Sequence, residues 1–269
     1  HAVDREYRVI TALHASGFPV ARTYCLCEDD TIIGTAFYVM DYVAGRVLWD
    51  PSLPGMRKEQ RGAYFEELNR VIAVLHCVDY AAVGLGDYGK PGNYIERQIN
   101  RWIKQYRASE TERIEAMENL IEWLPKNIPQ GDETTIVHGD YRMDNVIFHP
   151  TEPRILAVLD WELSTLGHPL ADFSYHCMTW RLTPGQFRGM NGIDFRSLGI
   201  PTEEDYVAAY CGRTGRDHIP NWDFYMAYNM FRLAGILQGI MGRVKDGTAA
   251  SAHAMEQGKR ARPMAEAGW

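Results

Sequence analysis

The sequence predicts an α+β fold, with a small mixed lobe over residues 1–45 followed by a larger, mostly helical lobe over 46–269. Two observations carry that expectation. Strand-like runs are few, confined to the first 45 residues and to a hairpin-rich stretch at 134–162, and apolar residues at helical spacing fill most of the rest. Gly45, Pro51, Pro54 and Gly55 mark a loop where the two patterns meet.

Val3, Glu6, Ile10 and Leu13 recur at helical spacing, which predicts an amphipathic helix over 3–15 ended by Ser16 and Gly17. Glu6 falls within the apolar stripe, and an inward carboxylate needs a partner. Residues 23–28 and 36–43 read as two strands joined across Asp29, Asp30 and Gly34. A long helix is expected at 57–80, with Tyr64, Leu68, Val71, Ile72 and Leu75 on its buried face. A glycine-rich loop at 84–92 holds Lys90, and helices follow at 93–109 and 111–124, the second stopped by Pro125. Residues 134–162 read as strand, polar loop, strand, turn, strand. Beyond Pro169, helices are expected at 170–179, 203–212 and 221–245, with a polar tail helix around 249–266.

Composition narrows the function. A chain of 269 residues, 46% apolar and 23% charged, has ample length for a core and reads as an ordinary globule. Its 28 basic and 35 acidic residues give a net charge of −7, which argues against a nucleic-acid-binding surface and suits a cationic or metal-bound substrate. Cys25, Cys27, Cys77, Cys177 and Cys211 show no zinc-site spacing and read as reduced core thiols of a reducing compartment. There is no secretory pattern and no apolar run long enough for a bilayer, so the expected setting is the cytoplasm, without a membrane partner. Nothing in the sequence marks an oligomeric interface.

The sharpest signal is His138-Gly139-Asp140, with Asn145 five residues after the aspartate, and Asp160-Trp161-Glu162 at the end of the next hairpin. Kinase-type phosphoryl transfer needs one aspartate to orient the attacking hydroxyl and an asparagine turning back from the same loop to a hard metal. It also needs a second aspartate at a strand end, on the metal that bridges the nucleotide phosphates. Asp140, Asn145 and Asp160 match in type, order and spacing, and Gly139 admits a tight backbone approach. The alternative is a hairpin with turn-forming Asp and Asn.

Arg142 and Asp144 lie in the same loop, within reach of phosphate or substrate. Glu162 reads equally as a functional group, behind the metal or on the substrate side, and as structure. Asp172, just after Pro169, either caps a helix or braces the loop by accepting backbone N–H bonds. His76 reads as a core histidine, and His168 and His176 lack the company of metal ligands. The apolar run 37–45 offers an edge near Met40, Asp41 and Val43 that suits a nucleotide base, although the residue types alone describe a core strand. Arg97, Arg101, Lys104 and Arg107 make one helix basic, either as a solvated face or as a place for an anionic group.

His138-Gly139-Asp140 through Asn145, Asp160-Trp161-Glu162, and the run Gly167-His168-Pro169-Leu170-Ala171-Asp172 together resemble the aminoglycoside phosphotransferase family, which has a protein-kinase-like bilobal fold. Arg5-Glu6-Tyr7 with Leu13, the run 34–40, and Tyr94 to Trp102 are similar to one branch, the kinase-like domains carried ahead of some acyl-CoA dehydrogenases. The resemblance implies ATP and Mg2+ as cofactors, Asp140 as the catalytic aspartate, and Asn145 and Asp160 as Mg2+ ligands. It also implies that Glu6 pairs with a strand lysine on the α- and β-phosphates. That lysine and its phosphate-covering loop should precede Glu6, and Lys58, Lys90, Lys104, Lys126, Lys245 and Lys259 all follow it. The small lobe is therefore expected to be partial, with its first strands upstream in a longer gene product.

The expected function is an ATP- and Mg2+-dependent kinase transferring the γ-phosphoryl group to a hydroxyl of a small-molecule substrate. That substrate is either a hydroxylated acyl-CoA-like metabolite, whose phosphates would meet Lys90, Arg97 and Arg101, or an aminoglycoside-like compound. Two rivals stand beside it. The missing lysine favours a non-catalytic nucleotide-binding module. A metal-dependent phosphohydrolase would instead use His138, Asp140, Asp144 and Asp160.

Overall fold

The computed structural model describes residues 2–249 and 251–269. The chain begins with α1 (Val3–Ala15), β1 (Thr23–Cys27), β2 (Phe37–Met40), α2 (Lys58–His76), α3 (Tyr94–Ser109) and α4 (Glu115–Trp123). It continues with β3 (Thr135–Val137), β4 (Val146–Phe148), β5 (Ile155–Val158), β6 (Thr165–Gly167) and α5 (Pro169–Arg181). It ends with α6 (Phe195–Leu198), α7 (Glu203–Thr214), α8 (Trp222–Lys245), α9 (Ala254–Gly258) and α10 (Ala261–Gly268). Two compact units result. One comprises His1–Pro91, Glu133–His176 and Gly192–Ile219, and the other Gly92–Asp132, Cys177–Asn191 and Pro220–Trp269.

In the first unit α1 buries Val9, Ile10 and Leu13 and stops where Gly17 takes a φ of +82°. Strands β1 and β2 pair antiparallel, and Asp29 shapes their connection by accepting the Thr31 N–H at 2.9 Å. Helix α2 buries Tyr64, Leu68, Val71, Ile72 and Leu75 and packs on α7. The start of α7 is fixed by the Thr202 hydroxyl, which accepts the Asp205 N–H at 3.2 Å, and Gly215 ends it in the left-handed region.

The strand pairing corrects the expected hairpin series. β4 and β5 do form a hairpin, but β3 pairs with β6, a three-residue strand too short to show an alternating pattern. The polar loop between β3 and β4 is not a hairpin turn, because β3 pairs with β6, and the loop's backbone groups meet the Asp172 and Asn145 side chains and the Leu159 N–H.

In the second unit α3, α4, α9 and α10 gather around α8. Gln238 of α8 donates to the Ser109 carbonyl at 2.7 Å, which satisfies a carbonyl at the end of α3. Two further expectations need correction. The tail forms α9 and α10 in place of one helix, residue 250 lying outside the described residues, and the fourth helix begins at Glu115 rather than 111. All five cysteines are free, but only Cys177 and Cys211 are buried. Cys25 and Cys77 are exposed, one on a two-stranded sheet and the other at a helix end. Among the described residues no helix is long and apolar enough to cross a membrane.

Candidate functional site

The loop from His138 to Asn145 folds back on itself. The Asn145 side-chain amide donates to the Asp140 carbonyl at 2.9 Å and to Asp140 Oδ2 at 3.0 Å. Its nitrogen is thereby fixed, and the amide oxygen is the atom of the two that could serve a metal. A 3-10 turn over Met143–Asn145 makes the five-residue return possible. Tyr175 donates its hydroxyl to Asp140 Oδ1 at 2.6 Å, and Arg142 approaches both carboxylate oxygens, Nη2 to Oδ2 at 3.2 Å and Nε to Oδ1 at 3.1 Å. Arg142 also reaches Asp144 Oδ2 at 3.4 Å.

The segment carrying Asp160 is locked to this loop through Leu159. Its N–H donates to the Asn145 carbonyl and its carbonyl faces His138 Nε2, both at 2.8 Å. His138 Nδ1 accepts the Asp140 N–H at 3.2 Å, so Nε2 carries the proton and donates it to Leu159. Trp161 is buried edge-on against His138, with ring centroids 4.8 Å apart, and its indole N–H donates to the Val158 carbonyl at 3.0 Å. Asp160 itself has a φ of +64°, an uncommon conformation for a non-glycine residue that turns its side chain off the strand end.

Charge accumulates here. Partial burial, then the negative charges of Glu162 and Asp140, push the Asp160 carboxyl above its ordinary value. The side chain is still exposed, so water limits the effect. Burial also raises Glu6, against the Tyr38 hydrogen bond at 3.4 Å, and Glu162 and Asp160 add to the rise. Burial and the Glu6 charge push Tyr38 up to about 12. Asp160 thus feels the charges of Glu162 and Asp140, and Glu6 those of Glu162 and Asp160, an accumulation that a divalent ion or a lysine would relieve. Among the described residues no three His, Cys, Asp or Glu side chains gather as a cage. Asp160 and Asn145 carry oxygen donors of the kind that Mg2+ takes, an ion that uses few protein ligands and keeps positions for phosphate oxygens and water.

Asp172 lies behind the loop, fully buried. It accepts the His138 N–H at 2.7 Å and the Gly139 N–H at 2.8 Å, and His76 Nε2 lies 3.2 Å from Oδ2, the oxygen that also accepts the His138 N–H. His76 Nδ1 meets the Tyr210 hydroxyl at 2.7 Å. Gly139 has a φ of +88°, and a Cβ there would stand 2.8 Å from the Leu163 carbonyl oxygen. Gly139→Ala is therefore expected to cost more than about 1 kcal/mol, through both the backbone region and the clash, which urea unfolding would measure.

The remaining predicted residues divide by location. Met40 is exposed at the end of β2, while Asp41 and Val43 are half-buried just beyond it. Asp41 donates its N–H to the Arg22 carbonyl at 2.8 Å and accepts the Tyr24 hydroxyl at 2.5 Å. Lys90 is exposed in the first unit, and Arg97 and Arg101 belong to the second, on α3. Sequence reasoning passed over Tyr175 and Tyr38, and it gave His76 no link to the loop. The only available signal was a tyrosine three residues after Asp172, one helical turn along the same face.

Residues 1–228 match the model of the phosphotransferase enzyme family. Mouse acyl-CoA dehydrogenase family member 10 is 50% identical over 272 residues, a match that takes in 100% of this chain and 25% of that protein. The chain thus spans a quarter of the length of this relative. A Ralstonia eutropha protein, provisionally described as an aminoglycoside phosphotransferase, is 64% identical. Its crystal structure superposes with a TM-score of 0.97 over 100% of this chain and 82% of its own. The fold alone is shared with a thermostable aminoglycoside phosphotransferase APH(4)-Ia variant in ternary complex with AMP-PNP and hygromycin B. That structure is 15% identical, with a TM-score of 0.61 over 99% of this chain and 81% of its own. The chain has the kinase-like fold of the aminoglycoside phosphotransferases, and it belongs to the phosphotransferase enzyme family.

Proposed function

We propose that the chain transfers the γ-phosphoryl group of ATP, with Mg2+, to a hydroxyl of a small molecule. The observation that carries the reading is the hydrogen-bonded closure of Asn145 onto Asp140, with Asp160 held one residue beyond Leu159, which both His138 and Asn145 grip. Asp140 would accept the acceptor hydroxyl as a hydrogen-bond donor and aim its oxygen at the γ-phosphorus. It would take the proton as the new O–P bond forms and the bond to the ADP oxygen breaks. Asn145 and Asp160 would hold Mg2+, which when bound offsets negative charge on the phosphate oxygens. Glu6 would pair with a lysine from an upstream strand, and Met40, Asp41 and Val43 would meet the base. Residues 1–45 would then form the nucleotide side and 46–269 the acceptor side. The AMP-PNP complex of a protein with the same fold supports the nucleotide.

For the acceptor we favour a hydroxylated acyl-CoA-like metabolite over an aminoglycoside, in a cytoplasmic setting. The similarity to acyl-CoA dehydrogenase family member 10 supports it, with Lys90, or Arg97 and Arg101 on α3, as cations for its phosphates. His138 weighs against the phosphohydrolase, because both ring nitrogens are engaged with backbone groups. The test is γ-labelled ATP with the full-length gene product, offered hydroxylated acyl-CoA thioesters and aminoglycosides in parallel. Mg2+-dependent label on an acyl-CoA supports the proposal. ATP binding without transfer to any acceptor points to a non-catalytic module, and phosphate release from monoesters without ATP points to the hydrolase.

A further inference from the structure

The donors around Asp140 are not equivalent. A carboxylate has about four acceptor sites; three take hydrogen bonds here, from Tyr175 Oη on Oδ1 and from Asn145 Nδ2 and Arg142 Nη2 on Oδ2, while Arg142 Nε lies over Oδ1 at 3.1 Å without an aligned bond. The remaining side of Oδ1 is covered by the Arg142 guanidinium, so an acceptor hydroxyl reaches it once that side chain withdraws. Tyr175 and Asn145 are buried, each on a packed element, and each holds one oxygen. Arg142 is a long side chain, a quarter exposed, and its Nε approach is a close ionic contact rather than an aligned hydrogen bond. Its guanidinium already reaches Asp144 at 3.4 Å, so it has a second carboxylate to lean on. Arg142 is the donor that can leave without breaking the core.

We propose that Tyr175 is a positioning residue for Asp140: with Asn145 it fixes the carboxylate plane, so that withdrawal of Arg142 opens one defined position for the acceptor hydroxyl. This rests on the reading of Asp140 as the group that orients the acceptor. Without the Tyr175 hydroxyl, Oδ1 loses its short, buried anchor and the carboxylate turns about its Cβ–Cγ bond. The attacking oxygen then spends less time in line with the γ-phosphorus. Nucleotide binding is expected to be unchanged, because the hydroxyl that the substitution removes bonds to Asp140.

The test uses Tyr175→Phe in the full-length gene product, beside Asp140→Asn. The readout is ADP formed from ATP–Mg2+ with water as the acceptor hydroxyl. Rates are divided by the number of ATP-binding sites counted by titration, so that unfolded molecules do not enter. Y175F is expected to lower kcat per site by about 10- to 100-fold, the equivalent of one hydrogen bond to a charged group, with KM for ATP unchanged. A purely structural role predicts fewer sites and a lower Tm with kcat per site intact, and that result overturns the inference while leaving Asp140 in its role. If D140N turns over as fast as the wild type, the parent reading fails and the inference falls with it.

Discussion

Asp140→Asn is expected to lower phosphoryl transfer by about 10²- to 10⁴-fold, the usual contribution of a positioned acid–base group, without loss of ATP–Mg2+ binding. Asparagine keeps the volume and one acceptor oxygen, so Tyr175 or Asn145 retains a partner and the loop keeps its path. It removes the negative charge that a proton could join, and it turns an N–H2 group toward Arg142. Labelled-phosphate transfer reads the loss. Thermal shift reads the binding, because a ligand specific for the folded state stabilises by about 2.7 kcal/mol at one hundred times its Kd. A variant that loses both together would mean that Asp140 holds the nucleotide or the fold, and not the acceptor.

The second large effect is structural. Asp172→Ala removes the acceptor of two backbone N–H groups and the partner of His76, all buried. Leaving them unpaired is expected to cost about 3–5 kcal/mol, a large share of the roughly 5–15 kcal/mol of a typical domain. Transfer should fall too, since Gly139 immediately precedes Asp140. Burial alone would raise the Asp172 carboxyl. The His76 hydrogen bond and the contacts from His76 and His138 override it, and the group is held below its ordinary value of 3.8. The folded pKa is thus the lower one. The group therefore contributes stability that is fully present above 3.8 and is lost as pH falls below that value toward the folded pKa. Urea titrations should show a large gap between wild type and D172A at neutral pH and a shrinking gap below 3.8. A gap that stays constant through that range would remove Asp172 as the cause.

Local pattern explains what the sequence made legible. Helices α1, α2, α3, α7 and α8 announce themselves because each runs for three or more turns with apolar residues at helical spacing. Strand β6 and helix α6 are three and four residues long, too short for any period to show. The proximity of Asp140 and Asn145 was readable because both sit on one short loop. Asp160 follows because a hairpin and two bonds to Leu159 return it to the same place.

Long-range partners were not readable. Tyr175 meets Asp140 from 35 residues away and His76 meets Asp172 from 96, contacts that only the packing of α2 and α5 creates. Glu6 showed the need for a partner, but not that the Tyr38 hydroxyl would contribute. The cysteines misled because burial was inferred from residue type, whereas β1 lies in a sheet of only two strands.

Titration calorimetry of ATP, with and without Mg2+, on the full-length gene product and its Asp160→Ala and Asn145→Ala variants, addresses the three-residue site itself. Mg2+ should tighten ATP binding in the wild type, and each variant should erase that gain by at least about tenfold, the scale of one charge-assisted contact. Glu152→Ala, an exposed change on the β4–β5 turn, should keep it. Equal ATP affinity with and without Mg2+, or a full Mg2+ gain surviving in both D160A and N145A, would contradict the account.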